Sequence, residues 1–75
     1  MIKILSKGCQ RGRMLEQNVK KAIEKKGVYA KVIHTQDFNE MVRYGITKTP
    51  ALLINDSLIA IGEVLDPEEI QIYLD

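Results

Sequence analysis

The 75-residue chain is poor in the residues that small domains use to reinforce themselves: it has one cysteine, one histidine and two prolines. A lone cysteine forms no intramolecular disulfide, and one cysteine with one histidine falls short of a structural zinc set. No apolar run approaches the ~20 residues of a membrane span. The opening Met1-Ile2-Lys3-Ile4-Leu5 is too short for a signal-peptide core. Charge of one sign is also missing, since 11 basic and 10 acidic residues leave a net +1. That balance argues against a nucleic-acid binder, which would carry a basic excess or stripe. The expected setting is the cytoplasm, where a lone thiol stays reduced.

What remains is an ordinary apolar fraction of 45%, enough for one domain built on hydrophobic packing alone. A chain this short buries roughly 60% of its unfolded surface, so its stability is expected to be marginal. No repeat, linker or low-complexity tract divides it.

Local patterns order the elements. Ile2-Lys3-Ile4-Leu5 alternates as a first strand, and Ser6 to Gln10 interrupts it as a loop. From Arg11 to Lys26 the apolar positions Leu15, Val19, Ala22 and Ile23 recur at helical spacing. Gly27 stops that helix. Val28 to His34 reads as a second strand. Asp37 caps a short helix in which Phe38, Met41 and Val42 share a face, ending near Gly45. Pro50 keeps Thr49 out of helical geometry. Ala51–Ile54 and Leu58–Ile61 flank the polar turn Asn55-Asp56-Ser57 as a hairpin. Asp66-Pro67-Glu68-Glu69 opens a last helix through Ile70, Tyr73 and Leu74, with a capping residue, an N-terminal proline and an acid three residues after the cap. The order is β-α-β-α-β-β-α. A right-handed β-α-β unit makes the first two strands parallel, the hairpin adds two antiparallel strands, and helices cover both faces.

Chemistry points to Cys9. It lies between the first strand and the first helix, where unpaired backbone N–H groups and the helix dipole favour a thiolate. Lys7, Arg11 and Arg13 are near in sequence and add positive charge. The competing reading makes Cys9 a small hydrophobe without reactivity. His34 closes the second strand and reads as a surface or satisfied structural residue. Glu16, Lys20, Lys21, Glu24, Lys25 and Lys26 read as the solvated face of the first helix, with Glu16 and Lys20 at ion-pair spacing. Met14 and Met41 read as core filler. Glu63, Asp66, Glu68 and Glu69 show no metal-ligand spacing.

The element order, Gly8-Cys9, the helix opening Met14-Leu15-Glu16-Gln17-Asn18, Thr49-Pro50-Ala51-Leu52 and Gly62 resemble the small archaeal and bacterial thioredoxin-like proteins of the redox-active disulfide protein 2 family. The resemblance runs essentially end to end and implies an α/β thioredoxin-like three-layer sandwich with a four-stranded mixed sheet. Members usually carry Cys-x-x-Cys at the start of the first helix. Here the matching residues are Cys9-Gln10-Arg11-Gly12, so the second cysteine is glycine. The resemblance implies a nucleophilic Cys9, a cis Pro50 beside it, backbone hydrogen bonds from Thr49 to a bound peptide or glutathione, and Gly62 leaving room for a bound chain. It also implies thiol–disulfide exchange through mixed disulfides that an external thiol resolves, as in monothiol glutaredoxins. The expected partners are a disulfide-containing protein or glutathione as co-substrate, with no resident cofactor or metal and a monomeric state. The rival function is a redox-inactive binding module that uses the same groove.

Overall fold

The computed structural model describes residues 1–74. Its elements are β1 (Ile2–Leu5), α1 (Gln10–Lys26), β2 (Val32–Thr35), α2 (Phe38–Arg43), β3 (Ala51–Ile54), β4 (Ser57–Ile61) and α3 (Pro67–Ile72). One sheet runs in the order β2-β1-β3-β4. β1 pairs parallel with β2, from Ile2 opposite Val32 to Leu5 opposite Thr35. It pairs antiparallel with β3, from Ile2 opposite Ile54 to Leu5 opposite Ala51. β3 and β4 form the hairpin, with a register shift between Leu52 and Leu53. At its tip Asn55 and Asp56 both take positive φ, 50° and 69°. That pair of angles is what a tight two-residue turn between twisted strands demands, and Asn and Asp tolerate it better than most residues. This is the α/β, thioredoxin-like three-layer arrangement, with a four-stranded mixed sheet between helices.

The period of two along β1 divides the core. Ile2 and Ile4 face α1 and α3, where Leu15, Val19 and Ala22 meet Leu52, Ile54, Leu65, Ile70 and Leu74. Leu5, Ala51 and Leu53 face the other way, onto Met41 of α2. Lys3 shares that second face and its Nζ donates to Glu40 Oε1 at 2.8 Å, tying α2 to the central strand. The same hydrogen bond is the main reason the Lys3 pKa is raised. β3 is buried along its whole length because it is central and covered on both sides. Among the described residues no helix is long and apolar enough to cross a membrane.

Four sequence expectations need correction. The second strand begins at Val32, not Val28. Gly27 leaves α1 with φ 72°, and pairing starts only where the Ile2 N–H reaches the Lys31 carbonyl at 2.7 Å. Val28 and Ala30 still pack against the core, but Tyr29 between them is 99% exposed. In α2, Met41 alone is buried, while Phe38 and Val42 are exposed. A six-residue helix presents little more than one turn to the sheet. Met14 is exposed rather than core filler; it is one residue, about 100° of helix rotation, from the inward-facing Leu15. Tyr73 lies beyond the end of α3 and is half exposed.

The start of α3 is the reciprocal cap expected from the sequence. Glu69 N–H donates to Asp66 Oδ1 at 2.9 Å, and Asp66 N–H to Glu69 Oε1 at 3.3 Å. Asp66→Ala is therefore expected to lower unfolding free energy by about 1 kcal/mol, whereas Asp66→Ser retains most of it. Chemical denaturation of the two variants checks this.

Candidate functional site

At the end of β1 the chain continues in register for one more residue. Ser6 N–H donates to the Thr35 carbonyl at 3.1 Å, and the Ser6 side chain is fully buried. The chain must then turn sharply to enter α1. Gly8 makes that turn with φ 76°, a conformation that costs glycine little. Its N–H donates to Ser6 Oγ at 3.3 Å. Cys9 follows as the N-cap of α1, with φ −80° and ψ 167° and no side-chain capping bond. Its thiol is free and the residue exposed. The first turn of the helix carries no acidic residue, so nothing negative on that turn opposes an anion at Cys9.

The flanking arginines act on the backbone around the thiol. Arg13 Nη1 donates to the Gly8 carbonyl at 3.0 Å, closing the turn. Arg11 Nη2 donates to the Gly62 carbonyl at 2.8 Å, and the Gly62 N–H donates to the Pro50 carbonyl at 2.7 Å. The start of α1, the glycine after β4 and the proline loop are thus joined in one hydrogen-bonded chain. Gly62 has φ 71°, and a Cβ there would lie 3.0 Å from Lys48 Cβ. The Thr49–Pro50 peptide bond is cis. Pro50 is buried, Thr49 half-buried. Lys7 is exposed and belongs to a shallow groove of about 230 Å³ with Phe38, Met41, Val42, Ile46, Thr47 and Thr49. That volume is below the usual range for small-molecule and cofactor pockets. It is of a size to take one or two side chains.

Under the first turn of α1, against Gly12, lies a chain of side chains that the sequence did not reveal. Glu16 Oε1 is 2.6 Å from His34 Nδ1, and His34 Nε2 is 2.5 Å from Ser6 Oγ. Glu16 also holds Lys20 at 2.9 Å through its other oxygen. Its pKa is lowered, chiefly by the hydrogen bond from His34 and then by the one from Lys20. An ionised Glu16 only accepts, so Nδ1 carries a proton and donates. In the neutral ring Nε2 then accepts from the Ser6 hydroxyl, whose oxygen accepts from Gly8 N–H. Glu16 therefore does more than solvate the helix surface, and His34 is a satisfied structural residue that reaches the loop carrying Cys9. Its Nε2 would lie 3.3 Å from a Cβ placed on Gly12. Sequence reasoning missed this grouping because three residues from three elements, far apart in sequence, make it. Among the described residues, no group of three or more Cys, His, Asp or Glu side chains is placed to hold a metal ion.

A lone exposed cysteine at the N-cap of the first helix of a β-α-β-α-β-β-α sandwich, together with a cis Thr49–Pro50 bond just before β3, defines a protein of the thioredoxin-like class. Comparison with known proteins agrees: the chain belongs to the thioredoxin domain family, whose profile matches residues 1–75. It is similar to a thioredoxin of Methanocaldococcus jannaschii, 31% identical over 71 residues that cover 95% of this chain and 81% of that protein. It is also similar to a thioredoxin of Methanothermobacter thermautotrophicus, 30% identical over 70 residues covering 93% of this chain and 91% of that protein.

The lowered Glu16 pKa sets a pH dependence of stability. A carboxylate whose folded pKa lies below its unfolded value of roughly 4.3 stabilises the fold fully above that value and loses the contribution as pH falls through the folded pKa. The gap in denaturation midpoint between the parent and Glu16→Gln is therefore expected to be constant near neutrality. It should shrink as pH drops below about 4. Denaturation series at several pH values measure it.

Proposed function

We propose that this protein carries out thioredoxin-like thiol–disulfide exchange with a single thiol. The observation that supports this most is the placement of Cys9: exposed, at the N-terminus of a long helix, in a first turn without acids. The Cys9 thiolate attacks one sulfur of a disulfide R–S–S–R′, forms Cys9–S–S–R and releases R′–S⁻. Gly12 has no thiol with which to resolve that product. An external thiolate such as glutathione then attacks the R sulfur, takes R into a new disulfide and returns Cys9 as thiolate. No resident cofactor enters the cycle.

The surroundings suit a polypeptide or glutathione. The N–H and C=O of Thr49 have no hydrogen-bond partner among the described residues, and an extended chain beside the proline loop would satisfy them. Exposed Phe38 and Val42 in the adjacent groove offer an apolar contact. Lys7, Arg11 and Arg13 give the rim positive charge, which suits the carboxylates of glutathione or an acidic segment. Gly62 does not leave the open room expected for a bound chain, because the Lys48 side chain lies over it; its glycine permits that close approach and the bond to the Pro50 carbonyl. We place the protein in the cytoplasm as a monomer, where thiol reductants keep Cys9 reduced.

The apolar groove also supports a second reading, in which the same face binds a protein without redox turnover. Reduction of insulin disulfides separates the two. With the protein and glutathione together, reduction is expected to exceed the sum of either alone, and mass spectrometry should show a glutathione adduct that Cys9→Ser lacks. No adduct and no rate above glutathione alone would leave the binding reading.

A further inference from the structure

The position three residues after the thiol is filled from below. Gly12 is buried in the first turn of α1, and a Cβ built on it would collide with Ser6 Oγ and come within 2.7 Å of Ser6 Cβ. Real Cβ atoms essentially never approach so closely. Rotating the hydroxyl away relieves only the first clash, because Ser6 Cβ is fixed to a backbone paired with β2 through Thr35. The hydroxyl itself is held by His34 Nε2 and Gly8 N–H, and His34 by Glu16. Gly12 is not in a positive-φ conformation. Backbone strain therefore does not require glycine here; the close approach of Ser6 does.

We propose that Ser6, held in place by His34 and Glu16, is the residue that commits the site to one thiol, because it occupies the volume a side chain at position 12 would need. The proposal rests on Cys9 being the working thiol, but the exclusion itself is a packing property that can be measured without any redox chemistry. Position 12 and Ser6 are therefore coupled. A second cysteine introduced at position 12 alone does not complete a dithiol site, whereas one introduced together with removal of the Ser6 side chain does. In that double variant, closing the disulfide between Cys9 and the introduced thiol would oxidise two thiols by two electrons with loss of two protons. Oxidised glutathione accepts both and leaves as two molecules of reduced glutathione.

Two sets of variants test this. Unfolding equilibria of Ser6→Gly, Gly12→Ala and the double Ser6→Gly/Gly12→Ala form a cycle. Exchange of glycine for alanine inside a helix ordinarily stabilises. Here Gly12→Ala is expected to destabilise the parent and to be tolerated once Ser6 is glycine, with a coupling on the order of tenfold in the unfolding constant, as for residues in direct contact. In the second set, Gly12→Cys and Ser6→Gly/Gly12→Cys are equilibrated with oxidised glutathione and their free thiols counted by alkylation and mass. The double variant should close the internal disulfide and the single variant should retain a glutathione adduct or fail to fold. Gly12→Cys closing the disulfide as readily as the double variant, or Gly12→Ala additive with Ser6→Gly, would overturn the proposal. A double variant that does no better than the single one would overturn it too. Loss of Cys9 reactivity in the parent would count against the functional reading and leave the stability cycle intact.

Discussion

The close seat of α1 on the end of β1 is the contact from which the rest of the site follows. Gly12 lets the helix backbone settle onto Ser6, and the core beneath continues the same approach through Leu15, Val19 and Ala22 against Ile2 and Ile4. With the helix that low, the turn between strand and helix has only Lys7 and Gly8 to work with. Gly8 must adopt positive φ, and Cys9 is brought out at the helix N-cap. The thiol is therefore presented by packing deep in the molecule rather than by a mobile loop.

Hydrogen bonds to backbone then keep the neighbouring segments in register with the thiol. Arg13 closes the turn on Gly8, and Arg11 crosses to Gly62, which is bonded to Pro50. The two arginine bonds have a charged donor and a carbonyl acceptor at the surface, and the Gly62–Pro50 bond continues the β3–β4 ladder. The Ser6–His34–Glu16 chain runs from the buried Ser6 out to the partly exposed His34 and Glu16. All of its members have partners, and a polar network at the edge of a small core adds order only when it is satisfied in this way.

Much of the architecture was legible in the sequence because it depends on local signals. Asp66-Pro67-Glu68-Glu69 marks a helix start through its own backbone geometry. Gly27 marks a helix end, and Asn55-Asp56 the hairpin tip. The apolar period places Leu15, Val19 and Ala22 in the core. What failed was tertiary in origin. Val28–Ala30 has strand-forming residues but lies ahead of the pairing with β1, which begins at the Lys31 carbonyl, so only the position of β1 decides where the strand starts. Met14 and Phe38 are apolar, yet both are exposed. The site divides in the same way. Cys9, Thr49-Pro50 and Gly62 stand out as residues of special chemistry or conformation. Ser6, Glu16 and His34 do not, because each is ordinary until the fold brings the three together.

The most direct test of a one-thiol site is the stoichiometry of its reaction with a small symmetrical aromatic disulfide that releases a coloured thiol. Each folded, reduced chain should release one thiol and retain the other half as a stable adduct on Cys9, which glutathione then removes. A folded chain that releases none, or whose adduct glutathione cannot remove, would contradict the account.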